Sequence, residues 1–348
     1  MLIRRPSQRQ KETFENSKLI TKLQQKTTNE EAPALDYAIE TTNLKKCFDS
    51  LLAVNNLNLK VQKNTIHGFL GPNGAGKTTT IKMIVGLLKP TSGSVKVFDK
   101  EVHVDDADSR LNIGYMSELP KFPKHLKGAE LLDVYGRMYG MSQQERDQQI
   151  PRLIDLVGLK GRENDLIAKY SKGMQQRIGI AQALLSTPEL VVLDEPSTGL
   201  DPVGMMEVRE LVKTISKEGI TVFLSSHLLF EVEQICDHVT IVNQGQILAS
   251  DTLQNVANQL GPALMHIELV ELTAEVIAAV KKVPNVVGTW KTGSTLMVQV
   301  NTYSDIRAQI SQAATSAGGV IIGMSQKNAG LEDIFIQLVT KDHGGNPK

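Results

Sequence analysis

The stretch Gly71-Pro72-Asn73-Gly74-Ala75-Gly76-Lys77-Thr78 constrains this chain more than any other feature, because it fits the phosphate-loop pattern G-x-x-x-x-G-K-[ST]. Residues 65–70 before it are strand-like, and residues 79–88 after it carry apolar side chains at helical spacing. Strand, glycine-rich loop and helix form the context in which this pattern binds phosphate. The sequence therefore predicts a nucleotide site within an α/β domain.

The chemistry of this loop follows from its residue types. Glycines let backbone N–H groups approach phosphate oxygens, and the following helix adds a favourable dipole. Lys77 supplies a positive charge for the β- and γ-phosphates, and the Thr78 hydroxyl can bind Mg²⁺. The predicted nucleotide-binding residues of the loop are Gly71, Pro72, Asn73, Gly74, Ala75, Gly76, Lys77, Thr78 and Thr79.

Composition argues against several other classes of protein. The 348 residues include 38 Lys and Arg against 38 Asp and Glu, so no basic surplus points to nucleic acid, and no nucleic-acid partner is expected. Cys47 and Cys236 lie in no metal-ligand spacing and are expected to be reduced thiols. No apolar run approaches the roughly 20 residues that span a bilayer, so a membrane role is expected to come through a partner.

The pattern along the chain predicts several parts. Residues 1–36 are polar and predict a disordered or loosely helical tail, with a basic membrane-surface segment as the alternative. Residues 37–255 alternate β-rich and helical runs, which predicts the α/β fold class with a largely parallel sheet and a helical insertion at about 115–180. Residues 262–348 predict a small α+β domain with the ferredoxin-like order β-α-β-β-α-β, a final helix at 331–340 and an accessory or regulatory role.

Two acidic residues follow a continuous apolar run at residues 190–193. Such a run is typical of a buried parallel strand, at whose end Asp194 can hold Mg²⁺ directly or through water. Glu195 is a candidate general base for an attacking water. Because side chains alternate along a strand, the two acids are expected to point in different directions and to have separate roles.

A second anion site is predicted at Ser171 and Gly173, just before a helix expected over residues 178–185. This helix end cannot easily serve the nucleotide of the first loop within one small domain. The sequence therefore suggests a nucleotide held between two copies of the chain.

Over about residues 39–250 these motifs together resemble the nucleotide-binding subunit of an ATP-binding cassette (ABC) transporter. Ser171 and Gly173 match the family signature L-S-G-G-Q, from which this chain departs at Tyr170, Lys172 and Met174. The form Y-S-K-G-M-Q-Q-R is similar to that of bacterial drug, antibiotic-resistance and polysaccharide exporters. The resemblance implies that four residues act on the nucleotide of a partner chain: Ser171, Lys172, Gly173 and Met174.

The same resemblance implies roles for three further residues. Asp201, in Thr198-Gly199-Leu200-Asp201, matches the D-loop, and His227 matches the switch histidine that contacts the γ-phosphate. A structural histidine is the alternative for His227. Phe48 occupies the place of an aromatic residue that stacks on adenine, with an ordinary core phenylalanine as the alternative.

Glu118 is a departure from the family, which usually has glutamine after the strand at residues 113–117. A carboxylate can bind Mg²⁺ and accept a hydrogen bond from water, although it cannot donate one as an amide does. Glu118 is therefore predicted to be catalytic and, with Thr78 and Asp194, to bind the metal. A slower or differently coupled ATPase is the alternative.

The function implied by the resemblance is ATP hydrolysis, with ATP and Mg²⁺ as cofactors, that powers export through a separate membrane-spanning permease. Two nucleotide-binding subunits, expected to be two copies, would close around two ATP molecules at the cytoplasmic face of the membrane. The alternative is a soluble single-cassette ATPase that remodels a protein or nucleic-acid assembly. A small-molecule kinase is a third candidate, but it has no use for the signature, the D-loop or the switch histidine.

Overall fold

The structure is a computed structural model, and it describes residues 36–110, 112–258, 263–293, 295–300 and 306–327. The chain divides into two units, Met1–Asp36 and Tyr37–Lys348, and the fold below is that of the second. Residues 1–35 of the predicted tail and the predicted final helix at 331–340 lie outside the described residues.

The strands, in chain order, are β1 (Tyr37–Phe48), β2 (Leu51–Leu57), β3 (Lys60–Gln62), β4 (Ile66–Leu70), β5 (Ser92–Val97), β6 (Lys100–Glu101), β7 (Ile113–Met116), β8 (Leu190–Asp194), β9 (Thr221–Ser226), β10 (His238–Asn243), β11 (Gln246–Thr252), β12 (Ala263–Leu269), β13 (Val286–Thr292), β14 (Thr295–Val300) and β15 (Ile321–Lys327). The α-helices are α1 (Lys77–Ile84), α2 (Gly128–Met138), α3 (Gln143–Leu156), α4 (Lys172–Leu184), α5 (Pro202–Lys217), α6 (Leu229–Ile235), α7 (Leu253–Asn258), α8 (Ala274–Lys281) and α9 (Arg307–Ser316). Short 3-10 helices cover Asp108–Arg110 and Ile167–Lys169.

A six-stranded sheet in the order β11-β10-β4-β9-β8-β7 forms the centre of the molecule. Its strands from β10 to β7 pair in parallel, and β11 is an antiparallel edge. Strands β4, β8 and β9 are buried along their whole length, as expected for parallel strands covered on both faces. The α/β fold class is therefore confirmed, and the carboxyl ends of β4, β8 and β9 meet at one edge of the sheet.

An antiparallel sheet packs on one face of this centre, with the order β2-β1-β5-β6 and β3 paired to β1. The core between the two sheets includes Phe69, Ile81, Val192 and Phe223. Helix α1 therefore lies between the sheets, with its first residue in the phosphate loop. It ends at Ile84 rather than at residue 88, and Gly86 follows it in the left-handed region (φ +67°).

The predicted helical insertion is present as α2 and α3. One prediction here is wrong, because the helix expected to begin at residue 178 begins at Lys172. The reason is a cap: the Ser171 side chain accepts a hydrogen bond from the backbone N–H of Met174 at 3.2 Å, which satisfies a free donor of the first turn.

A separate four-stranded antiparallel sheet, β13-β14-β12-β15, lies in the C-terminal part of the chain. Helices α8 and α9 cover one face of it around a core that includes Ile267, Val280, Val298 and Ile310. The element order through β15 is β-α-β-β-α-β, as predicted, whereas the limits of this part as a domain stay a prediction. None of the described helices has both the length and the apolar character needed to cross a bilayer.

Candidate nucleotide-binding site

A cavity of about 980 Å³ opens at the edge of the central sheet where β4, β8 and β9 end. It runs from the phosphate loop to the tip of the β1–β2 hairpin. Its size is at the upper end of that of small-ligand pockets. The described lining residues are Phe48, Leu51, Leu52, Ala53, Asn55, Pro72, Asn73, Gly74, Gly76, Lys77, Thr78, Thr79, Glu118, Glu195, Thr198, His227, Gln244 and Gln246.

The loop backbone depends on two glycines with positive φ, Gly74 at +84° and Gly76 at +96°. A Cβ at Gly76 would lie 2.5 Å from the carbonyl oxygen of Ala53, so this position has no room for a side chain. At Gly74 no atom of the described residues lies within 4 Å of such a Cβ, which leaves the backbone there accessible from the cavity. The loop therefore forms an open backbone cradle in front of the first turn of α1.

Two of the predicted loop residues, Gly71 and Ala75, are absent from the described lining. Ala75 is buried beneath the loop, and a Cβ at Gly71 would meet the carbonyl oxygen of Val242 at 2.5 Å. Both residues shape the loop from below.

Lys77 is the cation of this cavity and is only 6% exposed. Its Nζ donates to the carbonyl of Gly71 at 2.7 Å and lies 3.2 Å from Oε1 of Glu195. A buried ammonium needs such partners, since an unpaired charge in this environment is strongly unfavourable. The phosphate loop thus holds the Lys77 ammonium in place where the loop faces the cavity.

Asp194, the last residue of β8, is 1% exposed. Its Oδ1 accepts hydrogen bonds from the hydroxyls of Ser225 at 2.6 Å and Thr78 at 3.4 Å. Its Oδ2 is buried and has no hydrogen-bond partner among the described residues. Burial raises the pKa of Asp194 above its usual value, while the Ser225 and Thr78 hydroxyls oppose that shift. A buried carboxylate oxygen without a partner, next to a loop hydroxyl, fits a divalent cation.

Few further metal ligands accompany Asp194 and Thr78 among the described residues. No group of three or more His, Cys, Asp or Glu side chains with metal-binding geometry occurs among the described residues. Thr78 and Glu118 both line the cavity, whereas Asp194 is not among the described lining residues and contacts the Thr78 hydroxyl. Burial, with a contribution from the nearby Asp194, raises the pKa of Tyr115 to about 12, so this phenol stays neutral beside the site.

Glu195 turns out of the sheet into the cavity. Its φ is +51°, a left-handed conformation that is uncommon for a residue with a side chain and that concentrates at functional sites. Its backbone N–H donates to Ser225 Oγ at 2.9 Å. Its Oε2 lies 2.6 Å from Nδ1 of His227 and 3.2 Å from Oγ1 of Thr198. The two acids have separate environments, as expected, but the cause is the turn at Glu195 beyond the end of β8 and not alternation along a strand.

Phe48 stands at the hairpin tip, directly across from Leu51. Its side chain is 43% exposed and lines the cavity, so the alternative of a core phenylalanine is wrong. Leu51 and Leu52 add apolar surface beside the ring. An exposed aromatic face flanked by leucines suits a flat heteroaromatic ring.

The predicted signature and D-loop residues lie away from this cavity. None of Ser171, Lys172, Gly173, Met174 and Asp201 is among its described lining residues. Ser171 caps α4, and Asp201 caps α5 through a hydrogen bond from Gly204 N–H to its Oδ1 at 3.0 Å. These residues therefore do not line the nucleotide cavity of their own chain.

Sequence reasoning missed several groups of the site. Ser225 bonds both acids, yet its signal was only a hydroxyl near the end of a strand that precedes His227. Leu51, Leu52 and Gln244 carry no sequence signal that separates them from ordinary strand and turn residues. Glu231 is buried behind His227, with burial raising its pKa and the Ser197 hydroxyl opposing that shift.

The phosphate loop follows β4, and the carboxylate pair lies at the end of β8, two places along the same parallel sheet. With a histidine against the candidate base Glu195, this arrangement defines a nucleotide-hydrolysing cassette. The family model described as "ABC transporter" matches residues 54–198. The bacitracin transport ATP-binding protein of Bacillus licheniformis is 44% identical over 211 residues, 60% of this chain and 68% of that protein. An uncharacterised ABC transporter ATP-binding protein of Bacillus subtilis is 35% identical, over 88% of this chain and 98% of that protein.

Further comparisons agree with these. The daunorubicin/doxorubicin resistance ATP-binding protein of Streptomyces peucetius is 35% identical, over 67% of this chain and 70% of that protein. A solved ATP-binding subunit of an ABC transporter is 30% identical with a TM-score of 0.58, over 64% of this chain and 92% of that one. A dimeric post-hydrolysis cassette bound to ADP and phosphate shares the fold at 24% identity and a TM-score of 0.56, over 62% of this chain and 98% of that one.

The chain belongs to the ATP-binding subunits of ABC transporters. It binds ATP and hydrolyses it to power transport, which is the general activity of this family. A soluble remodelling ATPase is not favoured, since the relatives described above are transporter or resistance ATP-binding proteins.

Proposed function

We propose that this chain is the ATP-hydrolysing subunit of an exporter, bound at the cytoplasmic face of the membrane by a separate permease. The observation that carries hydrolysis is the placement of Glu195 between Lys77 and His227 at the end of a buried strand. The direction of transport draws its support from relatives named for bacitracin transport and for daunorubicin and doxorubicin resistance. The proposed cargo is accordingly a drug-like or antibiotic molecule.

The phosphates of ATP bind to backbone N–H groups of the phosphate loop that face the cavity and to the Lys77 ammonium. Thr78 and Asp194 hold Mg²⁺, with Glu118 as a further oxygen ligand, directly or through water. The ion supplies neutralisation of the charge on the β- and γ-phosphate oxygens. The unpartnered Oδ2 of Asp194 supports this assignment.

Glu195 acts as the general base. It accepts a proton from the attacking water while the water oxygen bonds to the γ-phosphorus and the bond to the β–γ bridging oxygen breaks, which releases ADP. Because Lys77 pairs with Glu195 in this structure, a γ-phosphate competes for the ammonium and frees the carboxylate for water. His227 orients Glu195 through their 2.6 Å contact and lines the cavity in which the γ-phosphate is proposed to bind.

Two copies of the chain complete the site. Each nucleotide lies between Lys77 of one copy and the signature of the other, at Ser171, Lys172, Gly173 and Met174, with Asp201 at the same interface. The signature helix α4 is tied to the metal side of its own cavity, because Gln176 Nε2 donates to the carbonyl of Glu118 at 3.2 Å. Closure around ATP is therefore expected to move the helical insertion, which transmits the change to the permease.

The proposed domain organisation assigns these tasks to parts of the chain. Residues 37–255 form the ATPase domain, and its helical part at about 115–180 faces the permease. Residues 262–348 form an accessory domain with a regulatory role. Its separate core around α8 and α9 supports an independent unit.

The test is an affinity purification of tagged Glu195→Gln protein from detergent-solubilised native membranes with ATP and Mg²⁺. We expect a polytopic membrane protein to co-purify. The matched control is the double variant Lys77→Ala/Glu195→Gln, which is expected to recover less of it because nucleotide binding is impaired. Recovery of soluble proteins alone, or of the chain alone, would overturn the permease assignment.

A further inference from the structure

The ring of Phe48 has two faces in different surroundings. Phe48 lines the cavity, and Nζ of Lys46 lies over the same ring, 5.0 Å from its centroid. Lys46 is not among the described residues that line the cavity. The ammonium therefore occupies one face of the ring, and a ligand in the cavity would stack on the opposite face.

Lys46 is itself held in place. Its Nζ donates a hydrogen bond to the backbone carbonyl of Lys89 at 2.8 Å. The ammonium thus contacts two partners at once, the carbonyl oxygen and the electron-rich ring face, and both contacts stabilise the same position of the side chain. The Lys46 side chain is held by the backbone at one end and by these contacts at the other. We infer that it restricts the rotation of the Phe48 ring that it covers.

The segment that holds Lys46 follows the helix of the phosphate loop in the chain. Lys89 and Thr91 follow α1, which begins at Lys77. Two further hydrogen bonds join this segment to the end of β1: Cys47 N–H donates to Thr91 Oγ1 at 3.0 Å, and Thr91 N–H donates to the Lys45 carbonyl at 2.8 Å. The aromatic ring and the phosphate loop are therefore connected through a short bonded segment.

We propose that Lys46 is a positioning residue for the nucleotide base. It holds the Phe48 ring in the orientation that stacks on the base, and in this way raises the affinity for ATP without contacting the phosphates. The proposal rests on the proposed function, since it requires that ATP binds in this cavity with its base against Phe48. Lys46 thus supports the ring from the face opposite the one on which the base stacks.

The size of the effect follows from the kind of contact. A cation over an aromatic ring at a partly exposed position contributes modestly, so loss of the ammonium is expected to weaken ATP binding by about threefold to tenfold. Inorganic tripolyphosphate has no base to stack on Phe48. Its binding is therefore expected to stay within about twofold of wild type. A purely structural role for Lys46 would weaken both ligands alike.

The experiment measures dissociation constants of ATP and of inorganic tripolyphosphate by calorimetry. Lys46→Met removes the ammonium and keeps an unbranched apolar side chain, and Lys46→Gln is a second neutral variant. Lys46→Arg keeps a cation that can lie over the ring and a donor, so it is expected to lose less ATP affinity than the two neutral variants. Lys63→Met is the matched control, because Lys63 Nζ lies 5.3 Å over the ring of Phe98, which is outside the described cavity lining.

A double-mutant cycle with Phe48→Ala locates the effect on the ring. We expect Lys46→Met to cost nothing further once Phe48 is alanine. The proposal is overturned if both neutral variants bind ATP like wild type, if they lose tripolyphosphate binding equally, or if their loss adds to that of Phe48→Ala. Failure of the proposed function looks different: wild-type protein would then not bind ATP, or Lys77→Ala would bind it unchanged.

Discussion

Nδ1 of His227 lies 2.6 Å from Oε2 of Glu195, while Oε1 of the same carboxylate lies 3.2 Å from Nζ of Lys77. Both oxygens of the Glu195 carboxylate are therefore held by neighbouring side chains. Its conformation is further fixed by the hydrogen bond from its own N–H to Ser225. The contacts with His227 and Ser225 do not depend on Lys77, so they reduce the cost of orienting the carboxylate once the γ-phosphate has taken the ammonium.

Glu195→Gln is expected to bind ATP yet lose at least about a hundredfold in turnover, since an amide cannot take the proton from water. Steady-state phosphate release together with ATP affinity measures both parts. Near-normal hydrolysis by this variant would remove Glu195 from the role of base.

His227→Ala is expected to lower kcat by about a hundredfold with a smaller change in KM, because it removes the group that orients Glu195 and meets the γ-phosphate. His227→Gln, which keeps a hydrogen-bonding side chain, is the comparison and is expected to retain more activity. Equal losses in ATP affinity and in turnover would instead indicate that His227 only supports the local fold.

Lys77→Ala is expected to weaken ATP binding by about tenfold to a hundredfold, the value of losing one charge-assisted contact to phosphate. Calorimetric titration with ATP measures this. Lys82→Ala on the same helix is the control, because Lys82 lies in its last turn and outside the described lining of the cavity. Unchanged ATP affinity in Lys77→Ala would contradict the cradle.

Asp194→Asn is expected to raise the Mg²⁺ concentration needed for half-maximal activity by about tenfold or more, because a carboxylate ligand is lost.

Asp194→Asn is also expected to change how the stability of the nucleotide-free protein depends on pH. Since the pKa of Asp194 is raised in the folded protein, the fold holds that proton more tightly than the unfolded chain does. Wild type should therefore lose stability as pH rises from the ordinary carboxyl range through the raised pKa.

The asparagine variant lacks that titration. Thermal unfolding of the two proteins between about pH 4 and pH 7 should show that the stability of the variant relative to wild type increases as pH rises. A constant difference across this range would mean that the buried carboxylate adds no pH-dependent cost.

Gly76→Ala is expected to destabilise the protein by about 1–3 kcal/mol and to weaken ATP binding, since a Cβ there adds strain at φ +96° and meets the Ala53 carbonyl at 2.5 Å. Gly74→Ala is the matched control with a similar φ of +84° and open space around the added atom. Chemical unfolding compares the two, and an equal loss in both would show that the Ala53 contact is unimportant.

The elements around the phosphate loop could be predicted from sequence because their signals are local. Glycine spacing marks residues 71–78, and an apolar run marks β8. The partners of the acids could not be predicted in this way. Asp194 meets Ser225 because β8 and β9 pair in the register that sets these two residues side by side, and that register depends on contacts far apart in sequence.

Similar reasons explain the differences at the edges of the site. The helix at the signature begins at Lys172 because one serine caps it, and apolar spacing starts only a turn and a half later. The exposure of Phe48 depends on the two-residue turn after it, which places the ring at a hairpin tip rather than within a sheet. Periodicity reports buried faces, so it locates cores better than it locates exposed binding residues.

The most direct test of the account is the molar mass of purified Glu195→Gln protein, measured by light scattering with and without ATP and Mg²⁺. A nucleotide held between two copies predicts a monomer without nucleotide and a dimer with it, because Ser171 and its neighbours lie outside the cavity that they are proposed to complete. A protein that binds ATP stoichiometrically and stays monomeric would contradict the nucleotide sandwich.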